Sequence, residues 1–227
     1  MTTSDKQFDS QFDKVPNLKH YPWIGCDYAS ASKRVLIMGD SHYTVNKDGE
    51  FCQEEYDRCA SDKEYTREII NCAIEKGGWN FHTNLQKTFL DESNMDVEAF
   101  WNKVASYNFI QEPMKGIHEV PSLSDYETAW KCFAEVVQII KPDVCIFVGL
   151  RNDNGMDALD EKDVRYSIQT LDSKINNSYP KIGELQFADG YKLPFYMIHH
   201  TAQYYNPQLW HDFLNKEIPE VVSFLGK

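Results

Sequence analysis

Two short hydrophobic runs, residues 35–38 (VLIM) and Val144–Val148 (VCIFV), constrain the fold more than any other feature of this 227-residue sequence. Each run is followed directly by a glycine, Gly39 or Gly149. Strands that are buried on both faces, as in a parallel sheet, have this pattern. We therefore predict two buried, parallel strands that end at these glycines.

Helical patterns separate these runs from two further strands. The sequence predicts strands at 105–110 and 193–198, and helices at about 54–76, 81–90, 97–104, 164–171 and 207–224. A capping box formed by Ser124 and Glu127 predicts the start of one more helix, which Pro142 ends. Strands that alternate with helices indicate an α/β fold, a three-layer αβα sandwich on a mainly parallel, four-stranded central sheet.

The composition indicates a globular chain. Hydrophobic residues make up 42% and aromatic residues 14% of the sequence, which excludes a disordered chain, and 11 glycines are too few for collagen. No apolar run approaches the roughly 18 residues of a membrane span, and residues 1–20 are too polar for a signal peptide. We expect a cytoplasmic protein with no membrane association, in which residues 1–20 are a lead-in and 21–227 form one domain.

The charge balance is acidic, with 23 basic and 35 acidic side chains and a net charge of −12. Nucleic-acid binders usually carry a basic footprint, so this balance argues against strong non-specific DNA binding. The acidic balance does not exclude a local basic patch, and it is equally consistent with a protein partner. The six cysteines show no C-x-x-C pair and no zinc or iron–sulfur spacing, so we expect reduced, structural thiols and no metal.

Polar residues follow three of the predicted strands, at the sheet edge where open α/β folds bind ligands. They are Asp40-Ser41-His42-Tyr43, Tyr107-Asn108 and His199-His200-Thr201. Together they offer a carboxylate, an amide and an imidazole. A carboxylate can stabilise an oxocarbenium-like transition state, an amide can read a base edge, and an imidazole can donate to a departing base. This set suits cleavage of a nucleoside's N-glycosidic bond.

The same segments carry a family resemblance. GDSHY after VLIM, YNF after a helix, KPDVCIFVG, and IHHT after a strand occur in this order. Over residues 21–225 the chain resembles the uracil-DNA glycosylase superfamily, and it is most similar to bacterial uracil-DNA glycosylase-like proteins whose first motif reads like G-E-S-H-Y. The resemblance implies the fold of that superfamily and a base-excising activity.

The resemblance also implies roles for single residues. Asp40 stands where the iron–sulfur type carries its water-activating acid, whereas the uracil-specific type places its Asp at the position of Ser41. Tyr43 matches the tyrosine that closes the pocket against a 5-methyl group. The remaining matches are Asn108 to the base-reading asparagine, Trp79 or Phe81 to the stacking aromatic, and His199 to the histidine of the final H-P-S motif.

Three departures limit what is carried over. His42 replaces a proline, His200 and Thr201 replace the last two residues of H-P-S, and the four-cysteine iron–sulfur pattern is missing. We therefore predict no cofactor. The expected catalytic residues are Asp40 and His199. The expected substrate-binding residues are Ser41, His42, Tyr43, Trp79, Phe81, Asn108, His200 and Thr201.

Each assignment has a structural alternative. Asp40 could cap a helix, Asn108 could bond its own turn, and a histidine at a strand end could be purely structural. The function predicted first is a monofunctional DNA glycosylase that flips out uracil or a modified pyrimidine and leaves an abasic site. Its role would be DNA repair, or antiviral defence against phage-modified cytosine. The alternatives are an inactive binding module with a protein partner, and a hydrolase of free nucleosides or nucleotides.

Overall fold

A seven-stranded mixed sheet forms the centre of the computed structural model, which describes residues 4–90, 95–202 and 204–226. The strands are β1 (Trp23–Ile24), β2 (Val35–Gly39), β3 (Val104–Asn108), β4 (Val144–Val148), β5 (Arg165–Thr170), β6 (Lys181–Gln186) and β7 (Lys192–Ile198). Their order across the sheet is β1-β3-β2-β4-β7-β6-β5. β3, β2, β4 and β7 are mutually parallel, while β1, β6 and β5 are antiparallel to their neighbours.

The fold is thus α/β as predicted, but its central sheet has seven strands instead of the four expected. The two apolar runs form neighbouring central strands, with Val35 paired to Val144 and Met38 to Phe147. Every residue of β2 and β4 is buried. This is the environment that a run without polar side chains requires, because helices cover both faces of a parallel sheet.

Helices lie on both faces of the sheet. They are α1 (Asp9–Phe12), α2 (Gln53–Ser61), α3 (Tyr65–Lys76), α4 (Asn80–Phe89), α5 (Val97–Lys103), α6 (Leu123–Ile140), α7 (Pro207–Glu217) and α8 (Pro219–Leu225). On one face, α6 packs Trp130 and Phe133 against the sheet residues Met38 and Phe147. On the other face, side chains of α3, α4, α5, α7 and α8 form a second core with alternate strand residues such as Ile37.

Several predicted elements differ in detail. The capping box of α6 uses Ser122 and Asp125 rather than Ser124 and Glu127: the Ser122 hydroxyl accepts the Asp125 amide at 3.2 Å, and the Asp125 carboxylate accepts the Ser122 amide at 2.8 Å. Residues 54–76 form two helices, because the Asp62 carboxylate accepts the Glu64 amide and fixes a turn between them. The C-terminal helix is likewise interrupted before Pro219, which lacks an N–H to continue it.

The helix predicted at 164–171 is wrong. These residues include β5, an edge strand that forms a hairpin with β6. Their alternation is that of a strand, with Val164, Tyr166 and Ile168 packed towards the core and Arg165 exposed.

The lead-in predicted for residues 1–20 packs on the rest of the chain over its described part. Phe12 and Val15 are buried, and the Ser4 hydroxyl accepts the backbone amide of Ile24 at 2.9 Å. Arg67 of α3, only 2% exposed, forms an ion pair with Asp9 at 2.6 Å. The segment is therefore held by apolar contacts in the core that contains α6 and by an ion pair with α3.

Candidate active site

A cavity of about 1030 Å³ opens at the carboxyl ends of the parallel strands. It exceeds the volume of a nucleobase and its sugar and lies at the top of the usual range for ligand pockets. The structure brings the following predicted residues into its lining: Asp40, Ser41, His42, Tyr43, Trp79, Phe81, Asn108, His199 and His200. Thr201 alone among the predicted site residues does not line it.

The segment after β2 carries the candidate carboxylate. Beyond the last strand residues it continues to pair with the chain that follows β3: the Ile110 amide donates to the Asp40 carbonyl at 2.9 Å, and the Met114 amide donates to the His42 carbonyl at 2.7 Å. Asp40 is not a helix cap, since α2 begins only at Gln53. The backbone is therefore fixed on both sides of Asp40. The Asp40 side chain points at the cavity and not at the end of a helix.

The Asp40 carboxyl is largely withdrawn from water. Its Oδ1 is buried and has no hydrogen-bond partner within the described part of the chain. Burial raises the pKa of Asp40 to about 6, and the positive charge of Arg151 acts in the opposite direction. At neutral pH the group is thus mainly ionised, with an oxygen available to an incoming ligand or water.

Asn108 is the last residue of β3 and pairs with Gly39 of β2. Its backbone carbonyl accepts the Gln111 side chain at 2.7 Å. The carboxamide lies against the Gly39 backbone, where its Oδ1 would be 2.0 Å from a β-carbon. Gly39 is thus required for this close approach, and the Asn108 side chain is placed beside Asp40 instead of capping its own turn.

The N-terminal turn of α4 forms the aromatic wall. Phe81 lies with its ring centroid 5.4 Å from that of His200, and Trp79 is 43% exposed at the rim. Thr201 is fully buried and donates its hydroxyl proton to the Phe81 carbonyl at 2.8 Å, while its own carbonyl accepts the Asn84 side chain at 2.7 Å. Its prediction as a substrate-binding residue is therefore corrected: it ties α4 to the chain after β7.

The two histidines after β7 are held differently. His199 Nδ1 lies 3.0 Å from the Ser178 hydroxyl. His200 Nδ1 accepts the Ala202 amide at 3.3 Å, so the neutral ring carries its proton on Nε2. Burial lowers the pKa of His200 to about 4. His200 therefore remains a neutral hydrogen-bond donor at physiological pH.

His42 is a buried residue of the cavity wall. Its Nε2 lies 2.8 Å from the Thr66 hydroxyl, and its ring contacts those of His20 and Tyr65 edge-on. Burial holds the pKa of His42 well below its ordinary value, so the ring is neutral. On either side, Ser41 is buried and Tyr43 is half-buried, and both line the cavity.

Sequence reasoning missed several residues of the lining, and His82, Arg151 and Lys47 are among them. His82 follows Phe81 on α4; burial lowers its pKa to about 4, and its Nδ1 is buried without a partner among the described residues. Arg151 follows β4, and Lys47 lies in the loop after β2. Arg151 follows the strand end at Gly149, just as Asp40 follows the strand end at Gly39. The rule that selects polar residues after a strand end would therefore have selected Arg151 as well. No comparable pattern marks His82 or Lys47.

The lining thus includes the buried carboxyl of Asp40, the oriented amide of Asn108 and several neutral imidazoles. Among residues 4–90, 95–202 and 204–226, no group of three or more histidine, cysteine, aspartate or glutamate side chains is arranged to hold a metal ion. In the same ranges, no helix is long and apolar enough to span a membrane. The arrangement can bind a flat polar ring, orient a water molecule and donate a hydrogen bond.

Comparison of the chain with protein-family models and with curated proteins finds no match.

Proposed function

We propose that the protein is a monofunctional DNA glycosylase, which hydrolyses the N-glycosidic bond of a pyrimidine turned out of DNA. The observation that carries the proposal is the juxtaposition of two groups at the cavity. One is the buried Oδ1 of Asp40, which has no hydrogen-bond partner among the described residues, and the other is the Asn108 carboxamide, which lies against Gly39. Hydrolysis of this bond needs a carboxylate at the sugar and a group that reads the base.

The base would lie against Phe81. Base–aromatic stacking is worth roughly 1–3 kcal/mol and tolerates different bases. The Asn108 carboxamide offers one acceptor and two donor hydrogens, which suits the mixed donor and acceptor edge of a pyrimidine. The volume of about 1030 Å³ exceeds that of a single base, so a pyrimidine with a larger 5-substituent also fits the proposal.

The ionised Asp40 would stabilise positive charge on the sugar and orient the attacking water. A carboxylate in a partly dehydrated site acts more strongly on a developing charge than one in water. The water supplies the hydroxyl group that joins C1′ of the sugar, and the departing base takes up a proton. The reaction leaves an abasic site and a free base.

The departing base would receive a hydrogen bond as negative charge develops on it. His200 suits this role because its neutral ring donates from Nε2, while His199, named by the family resemblance, would support it from the adjacent position. A neutral imidazole whose Nε2 carries the proton can donate this hydrogen bond without first taking up a second proton. Asp40 and the histidines therefore act at opposite ends of the bond that breaks.

A base-release assay tests the proposal. The protein is incubated with single-stranded and duplex DNA that contains uracil, separately with phage DNA that carries hydroxymethylated or glucosylated cytosine, and separately with the free nucleosides 2′-deoxyuridine and 2′-deoxycytidine. Abasic sites are detected by alkaline cleavage and the free base by mass spectrometry. Release that Asp40→Asn abolishes supports the proposal. Release from free nucleosides alone favours the nucleoside hydrolase, and no release from any substrate favours the binding module.

A further inference from the structure

We propose that Arg151 and Lys47 form a phosphate-binding site at the mouth of the cavity, so that the ligand is a phosphate-bearing nucleotide. This inference rests on the proposed function and deepens it. Asp40 and Asn108 would act on the sugar and base, whereas the two cations would bind the phosphate next to them.

The two cations lie in loops that follow neighbouring strands. β2 and β4 are hydrogen-bonded to each other and are followed by the loops that carry Lys47 and Arg151. Both side chains are exposed, and both line the same cavity as Asp40. A ligand whose sugar lies at Asp40 would therefore present its phosphate towards this rim.

Both loops are fixed by local hydrogen bonds. The carbonyl of Arg151 accepts the Asn154 side chain at 2.8 Å, and the Asn154 carbonyl accepts the indole N–H of Trp130 at 2.9 Å. Lys47 lies in a turn where the Asn46 carboxamide oxygen accepts the amides of Asp48 and Glu50 at 2.9 and 3.0 Å. Preorganised backbones of this kind lower the entropic cost of binding.

Among the residues that the structure describes, neither cation has a side-chain partner. Arg34, Arg58 and Arg67 each form an ion pair with a carboxylate. Over the described ranges, Arg151 and Lys47 form neither an ion pair nor a side-chain hydrogen bond, although the chain has 35 acidic side chains to offer. An arginine left unpaired beside a cavity in an acidic protein is suited to an external anion, and its planar guanidinium matches a phosphate with two parallel bonds.

Arg151 also lies within electrostatic reach of the carboxylate. Burial raises the pKa values of Asp40, Tyr43 and Tyr126, and the charge of Arg151 opposes this rise at all three groups. Without a nearby cation, a carboxylate at the cavity would repel a phosphate. Arg151 thus lets one cavity hold both an ionised Asp40 and an anionic ligand.

The test measures the contribution of the phosphate to binding separately from that of the base. The probe is a fluorescein-labelled single strand with a tetrahydrofuran abasic analogue, which keeps its phosphates and lacks a scissile bond. Its Kd is measured by anisotropy between 50 and 300 mM NaCl for wild type, Arg151→Gln, Arg151→Lys and Lys47→Gln. Arg165→Gln is the matched control, because it removes an exposed arginine that does not line the cavity. Inorganic phosphate, 2′-deoxyuridine, 2′-deoxyuridine 5′-monophosphate and an unlabelled strand serve as competitors.

We expect Arg151→Gln to raise Kd at least tenfold and Lys47→Gln about threefold, and each to reduce the salt slope by about one. Arg151→Lys should recover part of the loss, and Arg165→Gln should match wild type. The monophosphate should compete better than the nucleoside, because it carries a phosphate. If it competes as well as the unlabelled strand, the site binds a terminal phosphate. If it competes worse than the strand, the site binds a phosphodiester. Equal loss in Arg151→Gln and Arg165→Gln, or no binding by wild type, overturns the inference. The base-release assay is scored separately, so either proposal can fail alone.

Discussion

The carboxamide oxygen of Asn108 lies against the backbone of Gly39, 2.0 Å from the point where a β-carbon would stand. The two residues are paired across the parallel strands β2 and β3. No side chain other than hydrogen fits at position 39 without moving Asn108. The last residue of β2 thus determines where the candidate base-reading group lies.

Gly39→Ala should therefore displace Asn108 and impair base release more than it impairs folding. We expect kcat/KM to fall by at least about tenfold, since a misplaced group of this kind can cost up to 10²-fold. Kinetics and urea unfolding would be measured together. Gly116→Ala is the matched control, because a β-carbon there meets nothing within 4 Å and Gly116 has no positive φ. Unchanged kinetics in Gly39→Ala would show that the Asn108 position is not important.

The central strands and the position of the site could be predicted from the sequence because both depend on local patterns. Runs without polar residues fix β2 and β4, and polar residues directly after a strand fix the edge at which Asp40 and Asn108 meet. The β5–β6 hairpin was missed because the exposed, polar residues around Tyr166 and Ile168 obscured a period of two. A short apolar signal on an edge strand is intrinsically weak.

The electrostatic environment could not be predicted from sequence. The burial that raises the pKa of Asp40 comes from chain segments that are distant in sequence, and so does the contact between Thr201 and α4. Thr201 and His200 are adjacent, yet one is a structural tie and the other lines the cavity. Only the tertiary fold distinguishes them.

Arg67→Ala should destabilise the protein by about 3 kcal/mol, the lower end of the range for removing one member of a buried ion pair. Arg67 is 2% exposed, contacts both Asp9 oxygens and donates to the Pro22 carbonyl at 2.9 Å. Urea unfolding gives the change, and limited proteolysis should show earlier cleavage within residues 4–20. Arg58→Ala removes a pair with Glu68 whose members are about half exposed, and should cost below about 1 kcal/mol. Similar losses in both variants would contradict the role of the buried pair.

His200→Ala should reduce kcat of base release by about 10²–10³, the usual effect of losing a donor to developing negative charge. His199→Ala should also slow the reaction, but less, and Ser178→Ala should reproduce part of that loss because Ser178 orients the His199 ring. Because the pKa of His200 is lowered to about 4, its titration should not affect the rate above about pH 5. A larger effect from His199→Ala than from His200→Ala would reverse the assignment of the donor.

Asp40→Asn should abolish most activity, with kcat lower by about 10²–10³, and at the same time stabilise the fold at alkaline pH. Burial raises the folded-state pKa of Asp40 to about 6, so the folded protein binds this proton more tightly than the unfolded chain does. The ionised group therefore costs stability above about pH 6, the cost shrinks between pH 6 and 4, and it is absent at lower pH. A shift of this size corresponds to on the order of 1–3 kcal/mol.

The free energies of unfolding of wild type and Asp40→Asn, measured in urea, should thus differ at pH 8 and coincide near pH 3.5. The wild-type rate of base release should rise with pH through about 6, because the carboxylate forms in this range. Asp160→Asn, which neutralises an exposed carboxylate outside the cavity lining, is the control and should change neither property. Full activity in Asp40→Asn would remove Asp40 from the mechanism. Equal stability at pH 8 would instead show that the carboxyl is hydrated in solution, which would leave it too weak an electrostatic group for the role proposed.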